Sequence, residues 1–82
     1  MIAVNQVGYA AESVKHATIS GGKKYKLFNS KGERVLEGEA KLVQDENSGE
    51  KAGLIDFSEV KDPGKYYFVD EKGERSAGFT IG

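Results

Sequence analysis

Ile55-Asp56-Phe57-Ser58-Glu59-Val60-Lys61-Asp62-Pro63-Gly64-Lys65-Tyr66-Tyr67-Phe68 is the stretch on which the reading of this chain turns. Apolar Ile55 and Phe57 alternate with polar Asp56 and Ser58, the period of a half-buried strand. Residues 58–62 have room for one helical turn. Pro63, the only proline in the chain, stands directly before Gly64. Proline presets φ at the second turn position and glycine accepts positive φ at the third, so Asp62-Pro63-Gly64-Lys65 is predicted as a type II turn. Tyr66 and Phe68 then share one face of the next strand. A tyrosine in this place can bury its ring and return its hydroxyl to the upstream backbone, the tyrosine corner of Greek-key sandwiches. Asp62, Pro63, Gly64 and Tyr66 are therefore the candidate structural corner.

The same reading extends in both directions. Residues 2–5 form a first strand, and Gly8 permits a bend after it. Residues 14–20 form a second, with Ala17 and Ile19 on one face and His16, Thr18 and Ser20 on the other. Residues 25–29 and 33–39 pair across Asn29-Ser30-Lys31-Gly32, a hairpin with glycine at its left-handed position. Residues 40–43 either continue that strand or make a short one of their own. A polar loop covers residues 44–51, and a strand over residues 52–57 enters the corner. Residues 65–70 leave it, Glu71-Lys72-Gly73 turns the chain, and residues 75–81 close it with Phe79 and Ile81 on one face. The spacing is that of a single all-β domain over residues 1–82, a sandwich of about seven strands. No apolar period of a helix is sustained anywhere.

Composition narrows the functional classes. The chain has 82 residues, 12 basic and 13 acidic, with both signs interleaved and a net charge of −1. No basic stripe is present to follow phosphates, so nucleic acid is not an expected partner. No apolar run approaches membrane-spanning length. Met1 leads directly into the first strand, so no signal peptide is read. Cysteine is absent, so no disulfide supplements a core that is small at this length. That combination fits a cytosolic protein or a module supported by a neighbour. Two outer strands with open edges would also allow weak self-association.

Residues that could carry chemistry are few. His16 is the only histidine, which rules out a two-histidine metal site and leaves a solvent-facing or packing role. Asp45, Glu46, Asn47 and Glu50 hint at a calcium loop, but Gly49 falls one place before the sixth position such a loop requires. Asp56, Glu59, Asp62, Asp70, Glu71 and Glu74 lie at turns or on outward faces, without the cleft that a glycosidase carboxylate pair needs. No catalytic residue, metal ligand or cofactor site is assigned. Tyr9, Tyr25 and Tyr67 are the candidates for a sugar-stacking platform, weakened by the absence of tryptophan.

The order of the motifs says more than any one of them. Val4-Asn5-Gln6-Val7-Gly8-Tyr9 comes first, then Asn47-Ser48-Gly49 and Asp56-Phe57-Ser58, then Pro63-Gly64-Lys65-Tyr66-Tyr67, and finally Arg75-Ser76, Phe79 and Ile81-Gly82. This set resembles the N-terminal immunoglobulin-like domain of family 9 glycoside hydrolases across nearly the whole chain. One departure is Ser76-Ala77-Gly78 before Phe79, where a bulkier residue is expected. The resemblance implies an immunoglobulin-like, early-set or fibronectin-like, Greek-key sandwich. It also implies a secreted or cell-surface parent enzyme whose (α/α)6-barrel catalytic domain cleaves β-1,4-glucan, so that polysaccharide is met through the parent. The catalytic carboxylates of that family belong to the barrel, and none is carried over here. The implied role is a non-catalytic accessory module that packs against the barrel and stabilises it. Asn5, Gln6, Gly8 and Tyr9 are the candidate interdomain contacts, or equally a bend needed only for folding. The alternative is an independent carbohydrate-binding module using Tyr9, Tyr25 or Tyr67.

Overall fold

Two antiparallel four-stranded sheets face each other in a computed structural model that describes residues 2–5, 7–20, 22–44 and 51–82. The strands are β1 (Ile2–Ala3), β2 (His16–Ile19), β3 (Lys24–Asn29), β4 (Arg34–Glu39), β5 (Lys41–Gln44), β6 (Lys51–Asp56), β7 (Gly64–Asp70) and β8 (Phe79–Ile81). The first sheet has the order β1-β2-β6-β5 and the second β4-β3-β7-β8. This is the strand arrangement of an immunoglobulin-like sandwich, with one strand added beside the third.

Period-2 alternation builds the core. Ala17 and Ile19 of β2 and Ile55 of β6 point inward from the first sheet. Tyr25 and Leu27 of β3, Tyr66 and Phe68 of β7, and Phe79 and Ile81 of β8 meet them from the second. Phe57, just past β6, lies between the layers with ring centroids 4.9 Å from Tyr9, 5.1 Å from Phe68 and 5.5 Å from Phe79.

Residues 40–43, left open by the sequence, do not continue β4. The chain changes sheets at Ala40, whose N–H donates to the Lys23 carbonyl at 2.6 Å. Lys41 then pairs with Leu54 on the other sheet. Gly53 makes room for this crossing, since a Cβ there would sit 2.6 Å from Ile19 Cγ2 and 2.7 Å from Ala40 Cβ.

At the corner, the Tyr66 hydroxyl donates to the Asp62 carbonyl at 2.8 Å, the geometry of a tyrosine corner. The expected type II turn is not what delivers it. Gly64 has φ 152°, well beyond the value for the third position of that turn, and it already pairs with Ile81 in β7. The chain is drawn straight into the ladder, so the hydroxyl takes the carbonyl that a turn would have used. In place of a helical turn over residues 58–62 there is a single turn over residues 57–60, closed by Val60 N–H on the Phe57 carbonyl at 3.0 Å. Burial, and secondarily the charge of Asp62, push the Tyr66 phenol upward in pKa. Tyr66→Phe keeps the ring and leaves the carbonyl unmet. We expect a loss of about 1 kcal/mol in urea unfolding; an unchanged midpoint would show that the hydroxyl contributes nothing.

The two hairpins share one chemistry. Asn29 Oδ1 accepts the N–H groups of Lys31 and Glu33, each at 3.0 Å, and Gly32 follows at φ 79°. Asp70 Oδ1 accepts those of Lys72 and Glu74, each at 2.9 Å, and Gly73 follows at φ 83°. Only glycine enters that left-handed position without a Cβ penalty. The N–H of Glu74 foremost, then that of Lys72, holds the Asp70 carboxyl below its ordinary pKa, against the effect of burial. A folded-state pKa below the unfolded one gives stability that is complete above the unfolded value and is lost as pH falls through the folded one. Asp70→Asn keeps the acceptor and loses the charge. We therefore expect a shallower fall in urea midpoint between pH 7 and about pH 3 than in the wild type; equal slopes would refute the assignment.

The last strand is shorter than residues 75–81. Arg75 makes one bridge to Val69, Ser76 brackets Phe68 with its N–H on the carbonyl (2.8 Å) and its Oγ on the N–H (2.9 Å), and regular pairing begins only at Phe79. Small, exposed Ala77 and Gly78 span the irregular step.

Candidate functional site

The motif Asn5 to Tyr9 is a crossover between the sheets. Ala3 pairs with Thr18 in the first sheet, and Tyr9 is already bridged to Ile81 in the second. Asn5 makes the bend: its Oδ1 accepts Val7 N–H at 3.0 Å and its carbonyl accepts Gly8 N–H at 3.1 Å. Gly8 has φ 113°, and a Cβ there would lie 2.7 Å from Thr80 Oγ1, so both conformation and space demand glycine. Tyr9 N–H then donates to the Thr80 carbonyl, and Gly82 N–H donates to the Tyr9 carbonyl, each at 2.9 Å. The Tyr9 hydroxyl donates to the His16 carbonyl and accepts Asn5 N–H, each at 2.9 Å. The Asn5 Oδ1 and carbonyl, the Gly8 N–H and the Tyr9 hydroxyl thus serve the fold, and Gln6 lies outside the described residues. Among the described residues of the bend, Val7 is an apolar side chain turned outward, 93% exposed.

Lys15 is the residue the sequence reading passed over. Its side chain is fully buried, and Nζ donates to three carbonyls, those of Ala11 at 2.6 Å, Ser13 at 3.0 Å and Ser58 at 3.3 Å. Its backbone adds two links to the corner: its N–H donates to Ser58 Oγ at 2.8 Å and its carbonyl accepts Phe57 N–H at 3.0 Å. Ser58 is itself held by Asp56 Oδ1, through its hydroxyl at 2.6 Å and its N–H at 3.0 Å. Those two bonds lower the Asp56 pKa, with the neighbouring His16 a smaller contributor. The second strand accordingly begins at His16, not at Val14, which stands 70% exposed on the loop that Lys15 fastens.

The three tyrosines do not line up as a platform. Tyr25 is in the core, where burial first, then the charges of Glu59 and Asp56, raise its pKa. The Tyr9 ring packs edge-on against Phe57 and Phe79. Tyr67 stacks on Phe28 at 5.5 Å from β3 on one side of its strand, and the Arg75 guanidinium lies 5.1 Å from its ring from the other.

The remaining candidates are structural or peripheral. His16 is exposed and lies 3.6 Å from Asp56 Oδ2. Asp70 closes a hairpin, and Glu71 accepts Lys23 N–H at 2.8 Å, its pKa lowered chiefly by that bond. Among the described residues no group of three or more histidine or acidic side chains could hold a metal ion. Asp45, Glu46, Asn47, Ser48, Gly49 and Glu50 lie outside the described residues. No described helix is long and apolar enough to cross a membrane.

Comparison with known proteins gives these features a context. The family described as the cellulase N-terminal Ig-like domain matches residues 1–76. A cellodextrinase of Butyrivibrio fibrisolvens is 30% identical over 82 residues, covering 98% of this chain and 15% of the relative. A cellulose 1,4-β-cellobiosidase of Acetivibrio thermocellus is 40% identical over 73 residues, covering 82% of this chain and 8% of the relative. Among solved structures, a Bacteroides ovatus GH9 protein superposes with a TM-score of 0.84 at 28% identity, over 98% of this chain and 15% of its own. A metagenome-derived family 9 endoglucanase gives 0.82 at 28% identity, over 100% of this chain and 18% of its own. The chain therefore spans less than a fifth of each of these proteins.

Proposed function

Because the chain belongs to the cellulase N-terminal Ig-like domain family, we propose that it is a non-catalytic accessory module of a family 9 glycoside hydrolase. In this reading it is one domain over residues 1–82, and it packs against the barrel that hydrolyses β-1,4-glucan. It stabilises that barrel by contact at high effective concentration. The parent is secreted or held at the cell surface, and the module itself takes no cofactor.

The observation that carries this reading is the internal use of the tyrosines. A sugar-binding surface needs exposed, unoccupied ring faces, whereas Tyr25 is buried and Tyr9 is braced by Phe57, Phe79 and two hydrogen bonds through its hydroxyl. The half-buried Phe28–Tyr67 stack is the one feature favouring a carbohydrate-binding module. Titrating the isotope-labelled chain with soluble cello-oligosaccharides separates the two. We expect no movement of amide shifts at millimolar ligand. Saturable shifts around Phe28 and Tyr67 would replace the accessory reading with the binding one. Deleting the module from its parent is expected to lower the melting temperature of the catalytic domain, and an unchanged melting temperature counts against a stabilising role.

A further inference from the structure

We propose that the end of the sandwich carrying Val7 and Val14 is the surface on which the catalytic domain seats, with these valines as its apolar contacts. This rests on the reading that such a domain accompanies the module, and it assigns the contact to one face.

The strand registers bring the relevant segments together. His16 opens β2 opposite Asp56, which closes β6, and Gly64 opens β7 opposite Ile81, which closes β8. Residues 4–15, the corner at residues 57–63 and the exit of β8 therefore share one end. Val7 and Val14 are large hydrophobics that stand 93% and 70% exposed. A lone exposed valine needs no explanation. Two of them on loops at the same end, each loop held by hydrogen bonds at or beside the valine, form a more specific feature. Val7 is fixed by its N–H on Asn5 Oδ1. The loop before Val14 is fixed by Ser13, whose N–H and Oγ both donate to the Ala10 carbonyl, and by the Lys15 ammonium on Ala11 and Ser13. Loops already held in one shape lose little entropy on docking. Glu12 and Lys61, 3.5 Å apart, join the loop to the corner and supply the polar rim such a patch carries.

The occupant follows from the route of the chain. An N-terminal domain hands the polypeptide to the rest of its parent after β8, and β8 leaves beside Tyr9 and Pro63. The catalytic domain therefore emerges at this end, where a short tether gives the highest effective concentration.

Amide hydrogen exchange on the full-length parent and on this chain alone tests the assignment. We expect the amides of residues 7–14 to exchange at least about tenfold more slowly in the parent. The double variant Val7→Asp/Val14→Asp should abolish that slowing while β3 and β7 keep their protection, which shows that the module is still folded. Slowing confined to another face, such as the outer side of β3 and β7 around Phe28, would overturn the surface and leave the accessory role standing. Slowing that persists in the double variant would overturn the role of the valines. No slowing anywhere would overturn both the surface and the accessory reading.

Discussion

Phe57→Ala is expected to leave the chain largely unfolded at room temperature. Phe57 is fully buried, and its ring is the point where the sheets meet. It follows β6 in the first sheet and touches Phe68 and Phe79 in the second, at centroid distances of 5.1 and 5.5 Å. Tyr9, the crossover residue, packs edge-on against it at 4.9 Å. Truncating a buried phenylalanine costs about 3–5 kcal/mol, because lost transfer energy adds to an unfilled cavity. Edge-to-face contacts add roughly 0.5–1.5 kcal/mol each. At about 0.05–0.15 kcal/mol per residue the whole domain has roughly 4–12 kcal/mol to lose. Far-ultraviolet circular dichroism with urea titration would show a collapsed or absent transition. Phe57→Leu, which keeps much of the volume, should retain a cooperative one. A Phe57→Ala midpoint within error of the wild type would mean that the sheets are joined elsewhere.

Lys15→Met is the second large effect, and its sign is less obvious. Burying an ammonium costs several kcal/mol, so replacing it with an apolar chain of similar length could stabilise. The geometry decides against that outcome. The ammonium is the donor for the carbonyls of Ala11, Ser13 and Ser58, and methionine offers none. Each acceptor left dry costs about 1–3 kcal/mol, partly recovered where the loop can turn toward water. We expect a net loss of about 2–4 kcal/mol, or a melting temperature lower by roughly 15 °C. Calorimetry on the variant checks this. A stability equal to or above the wild type would mean that desolvation of the ammonium outweighs its hydrogen bonds.

Much of this architecture was legible in the residues. The corner announced itself through Asp62, Pro63, Gly64 and Tyr66, and the hairpins through Asn29-Ser30-Lys31-Gly32 and Glu71-Lys72-Gly73, although the part Asp70 plays in the second appears only in the structure. Those signals are local, because the side chains act on backbone a few positions away. Two features escaped. The change of sheet at Ala40 has no local signature, since the chain is extended on both sides of it and only contact with Lys23 and Gly53 reveals the step. Lys15 stands in phase with inward Ala17 and Ile19, so the alternation did mark it. The strand read over residues 14–20 nonetheless gave Lys15 no face, and its partners are backbone carbonyls that no side-chain pattern predicts. The candidate contact residues fell between these cases. Asn5, Gly8 and Tyr9 are a recognisable group, but only their hydrogen bonds show that they make the bend, on which Val7 stands exposed.

The bridge from Tyr9 to Thr80, Ile81 and Gly82 bears on how the molecule is made. A ribosome releases residue 9 long before residue 80, so the early segment has no partner strand during most of synthesis. Pairings of such long sequence separation form slowly and late. The sandwich can close only after its last strand has left the ribosome. Until then the aromatic rings of Tyr9 and Phe57 lack their Phe79 neighbour, and nascent chains in that interval are the ones that chaperones would have to shield.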